Sequence, residues 1–471
     1  MNLWKQWYHC VQEFQPACSR FRTFMYLVLV LVGFSIRPEC LGVTSFIRAI
    51  FLDPALYKGF LYFFNYSNGL DLKYLTRIWC QLAHTLFPVV LVKDYMVYIV
   101  DGLKYPKEGK KMPGVKKHYQ PSENNSKAAY IMGHSFQALS LLVRAAGGQV
   151  AAVPLLSRIH EGLVWFPGDR RSLLDKLTAM YLETMTMIGT RPSLMVADAY
   201  YASRKIILPL LSEGHQLLTR VRSNTVAYQE VVASKTRGRG RPKKYGKKVY
   251  LRKYFEQRDK FKKALSPVYG EKDTVIWYRT ENLLWRPIGR LVRFVWVIHP
   301  TRGKMILMCT DPTIDPLKLI ETYGYRFKIE VGFRSAIHGI GSYAYHFWMK
   351  AMKPIRRKDG KQYLHKEPEW YRKSVERKIE AYHRFVQLGC IAQGLLQYLS
   401  LVHGQEVWKQ FRSWLRTMNP NNPPSELVVS YALRSSLFEF LANSPKDHKL
   451  KKMPRQKNLW VNFGSGKSPS V

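Results

Sequence analysis

The sequence predicts an α/β fold in which helices cover both faces of a central sheet. Short apolar runs rich in β-branched and aromatic residues alternate with segments of helical periodicity, and this alternation is typical of α/β layers. Apolar and aromatic residues make up 46% of the chain, which suffices for sizeable cores and excludes wholesale disorder. The length of 471 residues allows two or three domains and does not choose between these counts.

Residues 1–90 predict a helical N-terminal region, because apolar residues recur there at helical spacing. The pattern is broken near Arg37 and Pro38 and again at the loop 65–69. The run Phe24–Phe34 is apolar throughout, but it is far shorter than the roughly 20 residues that span a bilayer. It also follows a polar leader and lacks a small-residue cleavage site, so we expect a buried helix rather than a membrane span or a secretion signal.

Short apolar runs predict the strands of the sheet. Tyr95–Val100 is a continuous apolar run closed by Asp101, and Ser193–Ala197 is closed in the same way by Asp198. Leu173–Ile188 has helical periodicity, and another helix is predicted to begin just after Asp198. Further strands are predicted at Ala129–Met132, Val150–Leu156 and Gln216–Val221.

A hairpin and a helix are predicted in the second half of the chain. Arg290–Ile298 and Lys304–Cys309 are apolar runs joined by a short turn, as in a β-hairpin. Asp315 followed by Pro316 is typical of a helix start, a capping residue before a first-turn proline. We expect this helix to run to about Ile337. Further helical segments follow, and the polar, basic tail is predicted to be disordered.

The charge balance indicates a polyanionic partner. Lysine and arginine total 74 against 33 acidic residues, which gives a formal net charge of +41. Such a surplus repels itself unless a polyanion neutralises it. Ribosomal proteins, membrane-surface proteins and nucleic-acid enzymes all share this composition, so charge alone does not choose among them.

The cysteines favour a reducing compartment. Six cysteines are scattered along the chain without the paired spacing of a zinc site, and sparse cysteine in a long chain is typical of reduced thiols. Together with the absence of an apolar run of spanning length, this predicts a cytoplasmic protein with no membrane partner.

Three acidic residues form the candidate catalytic constellation. Asp101 and Asp198 each close an apolar strand, where a carboxylate emerges at a sheet edge rather than inside the core. Glu330 shares one face of the predicted helix with Tyr323, Arg326 and Arg334, at spacings of three, four and four residues. If that face lies over the sheet edge, the three carboxylates converge.

Converging carboxylates repel one another unless divalent cations neutralise them. Oxygen-only ligands suit magnesium or manganese, and two such ions about 4 Å apart can activate a water or a 3′-hydroxyl and stabilise the leaving oxygen of a phosphodiester. The alternative is structural: an acid at a strand end is more often a turn or helix cap, and a glutamate in a basic helix is more often a salt-bridge partner. Asp311 also follows a strand, and a turn role is expected for it.

The segment YGYRFKIEVGFRSAI resembles the Tyr-x2-Arg-x3-Glu-x6-Lys signature of bacterial insertion-sequence transposases of the DDE class, in the insertion-sequence-four-like group. Tyr323, Arg326 and Glu330 match its first three positions, whereas the final lysine falls at Ile337, and Arg334 could substitute for it. The segments YIVDGLKYPKEGKKMPGVKKHY and LMVADAYYASRKIILPLL resemble those that carry the family's two aspartates. The likeness covers roughly residues 90–350 in the right order.

This resemblance implies a ribonuclease H-like catalytic core interrupted by a mostly β insertion, with helical regions on either side. The implied boundaries follow the chain: helical region 1–90, expected to bind the DNA ends by analogy with the family; catalytic core 91–223 and 313–350; basic β-rich insertion 224–312; helical region 351–442; disordered tail 443–471. The N-terminal helices are equally explained by packing on the catalytic domain. In the family mechanism, two magnesium ions held by Asp101, Asp198 and Glu330 serve cleavage of the element's ends and attack of the freed 3′-hydroxyl on target DNA.

The same resemblance suggests DNA contacts. Tyr323 and Arg326 would hold phosphates near the cut, and Arg334, Lys104, Lys110 and Lys111 are further candidates, against the alternative of solvated surface charge. The segment KTRGRGRPKKYGKK resembles an AT-hook, in which glycine lets the backbone settle in a narrow minor groove; its alternative is a flexible loop making sequence-blind phosphate contacts. Its candidate contacts are Arg237, Arg239, Arg241, Lys243 and Lys244.

The sequence therefore predicts a DDE transposase that acts on double-stranded DNA as a dimer, in a bacterial cytoplasm and associated with the nucleoid through its DNA. Three alternatives remain. One is another ribonuclease H-like nuclease, such as a resolvase, and terminal inverted repeats beside the gene would count against it. The second is a non-enzymatic DNA-binding descendant of a transposase, which has no reason to retain all three carboxylates. The third, a basic membrane-associated protein, is weakened by the lack of a predicted spanning segment.

Overall fold

The computed structural model describes residues 2–66, 68–107, 109–119, 129–145, 148–189, 191–231, 243–356 and 359–443. Helices occupy both ends of this part of the chain and alternate with strands between them. The helices are α1 (Leu3–Gln12), α2 (Phe21–Ile36), α3 (Thr44–Ile50), α4 (Leu56–Asn65), α5 (Leu72–Leu86), α6 (Leu173–Ile188), α7 (Arg204–Ser212), α8 (Pro316–Gly324), α9 (Lys328–Arg334), α10 (Glu369–Val402), α11 (Gly404–Gln410) and α12 (Glu426–Asn443). The predicted α/β class is confirmed.

The strands fall into one large mixed sheet and one small pair within the described residues. They are β1 (Leu91–Val92), β2 (Tyr95–Pro106), β3 (Lys116–Tyr119), β4 (Tyr130–Arg144), β5 (Val150–Ile159), β6 (Leu163–Val164), β7 (Ser193–Ala197), β8 (Gln216–Arg220), β9 (Val226–Tyr228), β10 (Lys248–Tyr250), β11 (Lys262–Leu265), β12 (Val275–Trp285), β13 (Arg290–His299), β14 (Gly303–Cys309) and β15 (Gln362–Tyr363).

The large sheet runs in the order β10-β9-β12-β13-β14-β8-β7-β2-β4-β3, with β5 also paired to β4. At its centre β2, β7 and β8 are parallel, whereas β4 and β5 run antiparallel to their neighbours. The strands within the predicted insertion extend this same sheet, because β14 pairs with β8 between Leu307 and Arg220.

Side-chain alternation gives the sheet two buried faces. In β2, Tyr98 and Val100 join one apolar cluster, while Val97 and Ile99 join another on the opposite face. Successive residues of a strand point to opposite sides. The first face is covered by α5, α6, α7 and α10, and the second by α8 and α9, whose Ile329 is 1% exposed.

The N-terminal helices pack into the main core. α2 lies against α10 and α12, and from Phe24 to Ile36 every α2 residue except Tyr26 is buried. This confirms the buried helix predicted there. The rings of Phe34 and Phe385, from α2 and α10, meet edge to face at 5.0 Å. Packing on the rest of the molecule thus accounts for the apolar composition of these helices.

One helix of the described chain, α10, is long and apolar enough by length and composition to cross a membrane. The expectation that no segment reaches that length was therefore wrong. Within the most apolar stretch of α10, 83% of the residues are buried inside the protein. Apolar residues on every side of a helix also occur where that helix runs through a packed core.

Several predicted elements are confirmed at their boundaries. The helix Leu173–Ile188, the strand Ser193–Ala197 and the hairpin of β13 and β14 form as expected. Asp315 caps α8 by accepting a hydrogen bond from the backbone N–H of Lys318 at 3.0 Å.

Other boundaries were wrong, among them that of the strand predicted at Ala129–Met132, which runs from Tyr130 to Arg144. The strand predicted at Tyr95–Val100 corresponds to β2 and continues to Pro106. It does so because its antiparallel partner β4 pairs with it as far as Gly133. The helix expected to run unbroken from Pro316 to Ile337 is divided. A 3-10 turn at Tyr325–Phe327 separates α8 from α9, and a π-helical turn at Ser335–Ile340 follows α9.

A buried histidine predicts that stability falls with acid. His134 is fully buried beside β2, and its Nε2–H donates to the carbonyl of Pro113 at 2.9 Å. Burial lowers the pKa of His134 to about 3. Below the unfolded value of about 6.5, the unfolded chain binds a proton that the folded chain refuses. Unfolding free energy should therefore fall as pH drops below about 6.5, by at most about 1.4 kcal/mol per pH unit for this residue.

The check is urea unfolding of the wild type and His134→Gln between pH 7 and pH 4. The variant should show a shallower loss of stability, with a residual slope from His160, whose pKa burial also lowers, to about 4. Parallel curves for the two proteins would contradict the prediction.

Candidate active site

Two of the predicted carboxylates lie side by side on adjacent parallel strands. Ile99 of β2 pairs with Val196 of β7, so Asp101 and Asp198 each lie two residues beyond that pair. By alternation both project to the sheet face covered by α8 and α9. Asp198 comes directly after β7 and accepts a hydrogen bond from the backbone N–H of Tyr200 at 2.9 Å.

The third carboxylate comes from α9, which lies over the same face. Ile329 anchors this helix in the apolar layer beneath it, and Gln393 of α10 donates to the carbonyl of Gly332 at 3.0 Å. Glu330, which follows Ile329 in the chain, is exposed and lies in the first turn of α9. Glu330 thus lies on a helix that covers the same sheet face as Asp101 and Asp198.

A single guanidinium joins two of the three acids. Arg326 donates from Nη1 to Asp101 Oδ2 at 2.9 Å and from Nη2 to Glu330 Oε1 at 2.6 Å. The side chain of Arg326 is 21% exposed, and that of Asp101 is 18% exposed. Asp101 and Glu330 are thus compensated by an internal cation.

The pKa of Asp101 reports how close the three acids are. The pKa of Asp101 is raised to about 6, chiefly by burial, and the nearby carboxylates of Asp198 and Glu330 act in the same direction. Arg326 and the backbone N–H of Gly102, which donates to Asp101 Oδ1 at 2.8 Å, act in the opposite direction. The charge on Asp101 is therefore disfavoured by burial and by both of the other acids, and favoured by Arg326.

The side chains are not arranged as a formed metal centre. Among the described residues, no group of three or more His, Cys, Asp or Glu side chains is placed to hold an ion. The donors are nevertheless oxygen atoms, the type that magnesium and manganese prefer. The donor set therefore fits such a metal, and Arg326 lies between two of its members.

The predicted DNA contacts are partly engaged within the protein. Lys104 donates to the carbonyl of Tyr119 at 2.6 Å, and Lys111 to that of Lys350 at 3.1 Å. Tyr323 lies beside Arg326 and Arg220, and burial raises its pKa. Arg334, Lys110, Lys243 and Lys244 are exposed. Arg237, Arg239 and Arg241 lie outside the described residues, as does the predicted tail from residue 444 onward.

A groove of about 770 Å³ opens beside Asp101 and Asp198. A polar network that the sequence did not reveal forms part of its lining. Tyr201 donates to Gln137 Oε1 at 3.0 Å, and the Gln137 amide donates to His160 Nε2 at 3.2 Å. Gln137 lies opposite Gly102 in the β2–β4 ladder, so its position follows from strand pairing. No spacing in the sequence signals it.

An ion cluster forms another part of the groove. Glu161 Oε2 lies 3.0 Å from His118 Nδ1 and 3.4 Å from Lys116 Nζ. Burial alone would raise the pKa of Glu161, but these two neighbours hold it at about 2. Glu161 is thus a compensated acid beside the aspartates, and Lys117 and Tyr119 leave exposed basic and aromatic surface next to it.

Comparison with protein-family models gives a match to the middle of the chain. Residues 48–282, about half of the chain, match the model of the DDE superfamily endonuclease family. The matched residues include Asp101 and Asp198 and end before Glu330. The match supports a nuclease of the DDE superfamily and makes this part of the chain similar to the endonucleases of that class.

Among solved structures, the chain is similar to the piggyBac transposase in its synaptic complex with hairpin DNA, determined by cryo-EM. The two are 12% identical, the likeness covers 98% of this chain and 87% of that chain, and the TM-score is 0.36. Comparison with curated protein sequences gives no match.

Proposed function

We propose that the protein is a DNA transposase that cuts at the ends of its mobile element and joins the freed 3′-hydroxyl to target DNA. The observation that carries the proposal is the placement of Asp101 and Asp198 side by side on the sheet, with Glu330 linked to Asp101 through Arg326. The match of residues 48–282 to DDE superfamily endonucleases and the net charge of +41 support it.

The three carboxylates would hold divalent metal, which DDE superfamily endonucleases generally use. Bound magnesium or manganese would activate the attacking oxygen and stabilise the leaving oxygen of the phosphodiester. Asp101 and Asp198 would act from neighbouring strands and Glu330 from α9. Because Arg326 pairs with both Asp101 and Glu330, its side chain has to withdraw before those two acids share a cation.

We also propose a ribonuclease H-like catalytic core and membership of the insertion-sequence-four-like group. The order of β5, β4, β2, β7 and β8, with three parallel strands at its centre, supports a ribonuclease H-like core. Membership of the insertion-sequence-four-like group rests on the Tyr323, Arg326 and Glu330 spacing. We propose further that the protein binds two magnesium ions and acts as a dimer on double-stranded DNA. Its proposed location is the bacterial cytoplasm.

The test is cleavage of linear DNA that carries the sequences flanking the gene. Full-length protein is incubated with this DNA in magnesium, in manganese and with chelator, and products are mapped to the nucleotide. Cuts at the element ends that require metal, followed by joining to a target plasmid, are expected. Cuts without joining would reduce the proposal to a nuclease of another kind.

The two ion pairs that Arg326 makes favour a second candidate function. With Asp101 and Glu330 both held by Arg326, the chain would also suit a DNA-binding protein that no longer cleaves. Tight, salt-dependent binding of the flanking DNA without cleavage in either metal would select this candidate.

The Arg326 bridge predicts a change in metal affinity that needs no DNA. Arg326→Gln removes the cation from between Asp101 and Glu330, so unscreened carboxylates should attract Mn²⁺ more strongly. Titration calorimetry without DNA should show at least about a tenfold gain in affinity, which corresponds to about 1.4 kcal/mol. The matched control Arg334→Gln, from an exposed arginine on α9, should leave the affinity unchanged. Equal affinities for both variants would show that Arg326 does not compete with metal.

A further inference from the structure

A second basic and aromatic cleft lies among the N-terminal helices, built from residues other than those of the groove beside Asp101. It encloses about 520 Å³ between the start of α2 and the C-terminal half of α4. Gly59, Tyr62, Phe63 and Tyr66 line it from the α4 side, at the three- and four-residue spacing of one helical face. The other lining residues are Ser19, Arg20, Arg22, Thr23, Tyr26, Asn68 and Gly69.

The walls of the cleft are held together by contacts of their own. The backbone N–H of Ser19 donates to the carbonyl of Gly69 at 2.8 Å. Gly59 allows α4 to approach α2 closely, since a Cβ there would lie 1.9 Å from the Tyr26 hydroxyl. The ring of Tyr26 in turn stacks on Phe63 at 6.1 Å. The cleft is therefore preformed rather than dependent on a ligand.

Two aromatic rings are presented to solvent at its rim. Tyr62 is 61% exposed and Tyr66 is 50% exposed. Their rings stack at 6.0 Å with an angle of 23° between the planes, and Arg377 of α10 lies 4.8 Å from the centre of the Tyr66 ring. Exposed tyrosines so arranged offer flat apolar surface that the protein core does not use.

The charge of the cleft is positive. Arg20 and Arg22 are exposed, and no acid is among the described residues that line the cleft. The N-terminus of α2 adds the positive end of its dipole. No acidic side chain lies in its first turn to offset this charge. An anion with a flat apolar group complements this surface.

We propose that this cleft binds unpaired nucleotides of DNA, with bases stacked on Tyr62 and Tyr66 and phosphates beside Arg20 and Arg22. Stacking on aromatic rings together with a basic track is how proteins hold single strands without reading their sequence. In a duplex the base faces are already stacked on each other, so only unpaired nucleotides use the tyrosines. The inference rests on the proposed function only for its choice of DNA as the polyanion.

The experiment measures binding of a fluorescent 12-nucleotide oligothymidine and of a matched duplex to the full-length protein in chelator. Replacing Tyr62 and Tyr66 together by leucine should weaken single-strand binding by roughly tenfold per ring and leave duplex binding within twofold. Replacing both by phenylalanine should preserve binding, because the ring is retained. The matched control is Tyr57→Leu, a tyrosine of α4 that is 40% exposed and lies outside the cleft.

The charges are tested separately. The variant with glutamine at both Arg20 and Arg22 should lower the dependence of single-strand affinity on salt by about 0.7 in logarithmic slope for each phosphate that is no longer neutralised. The control with glutamine at Lys58 and Arg77, both exposed and outside the cleft, should keep the wild-type slope. An oligonucleotide carrying 5-iododeoxyuridine should crosslink on irradiation to the peptide that contains Tyr62 and Tyr66.

Three results would overturn the proposal: wild-type affinity in the double leucine variant, an equal loss of affinity for single strand and duplex, or crosslinks mapped only elsewhere. Folding of each variant is monitored by circular dichroism, and the crosslink to the wild-type protein keeps the test valid if the leucine variant unfolds. All binding is measured without metal and repeated in Asp198→Asn. Failure of cleavage therefore does not affect this result, and failure of the cleft to bind does not affect cleavage.

Discussion

Asp198→Asn should reduce metal-dependent cleavage of DNA by roughly 10³-fold or more, the scale on which loss of an essential catalytic group is felt. Asparagine keeps the oxygen that accepts from the backbone N–H of Tyr200, so the turn after β7 should keep its shape. It loses the negative charge that a divalent cation requires. Glu330→Gln should act in the same way, because Glu330 is exposed and its helix is anchored through Ile329 instead.

The matched control is Asp311→Asn, which also changes a carboxylate that follows a strand. Asp311 Oδ1 accepts from the backbone N–H of Thr313 at 2.8 Å, and Asp311 Oδ2 pairs with Lys93 at 3.2 Å. Asparagine keeps the first of these hydrogen bonds, and the cleavage rate should stay within a few-fold of wild type. Cleavage rates and DNA affinity are measured on the same preparations. Loss of activity in Asp311→Asn, or its survival in Asp198→Asn, would show that another acid carries the chemistry.

The sequence was sufficient to place the acids because each sits in a locally determined position. A short continuous apolar run is consistent with a buried strand, and Asp198 directly follows such a run, Ser193–Ala197. Because successive residues of a strand point to opposite faces, Asp198 then lies on the same face of the sheet as Asp101. The capping of α8 by Asp315 likewise depends on a local pattern, an acid before proline.

Features that depend on pairing with distant residues were missed. The continuation of β2 beyond Asp101 is imposed by β4, because Gly102 pairs with Gln137 and Pro106 with Gly133, and no local pattern at 101–106 encodes it. The bridge from Arg326 to Asp101 joins residues 225 apart. The family resemblance predicts Arg326 as a phosphate contact, and the i to i+4 spacing to Glu330 shows a helical pair but cannot show the third partner.

The role of the N-terminal helices was also beyond the sequence. Helical spacing in residues 1–90 predicted the elements, but the same spacing suits a separate DNA-binding unit and a set of helices packed on the core. The decisive contact is made by a polar residue: Arg37, which follows α2, is 2% exposed and reaches the helical segment beyond Glu330. A buried arginine is costly unless its donors are satisfied, and only the tertiary structure shows which acceptors satisfy them.

Arg37→Met should lower the unfolding free energy by about 3 kcal/mol or more, because several buried acceptors are deprived of a charged donor. Its Nη2 donates to the carbonyls of Ile340 at 2.6 Å and Gly341 at 3.0 Å, and its Nη1 donates to Ser45 at 2.8 Å. Gly341 has φ of 72°, and a Cβ there would lie 2.6 Å from Arg37 Nη2. Methionine fills much of the volume but leaves these acceptors without a donor. The measurement is urea unfolding followed by circular dichroism.

The control for this prediction is Arg48→Met. Arg48 is largely exposed and pairs with Glu39 at 2.5 Å, so its loss should change stability by no more than about 0.5 kcal/mol. Arg37→Lys should fall between the two, since lysine retains the charge but not the fork that reaches two carbonyls at once. Because Arg37 binds the carbonyls that end the π-helical turn after α9, its loss should also loosen Glu330, and cleavage should fall in conditions where the variant is still folded. A folded Arg37→Met protein with wild-type stability would show that α2 and the Glu330 segment are not coupled through this side chain.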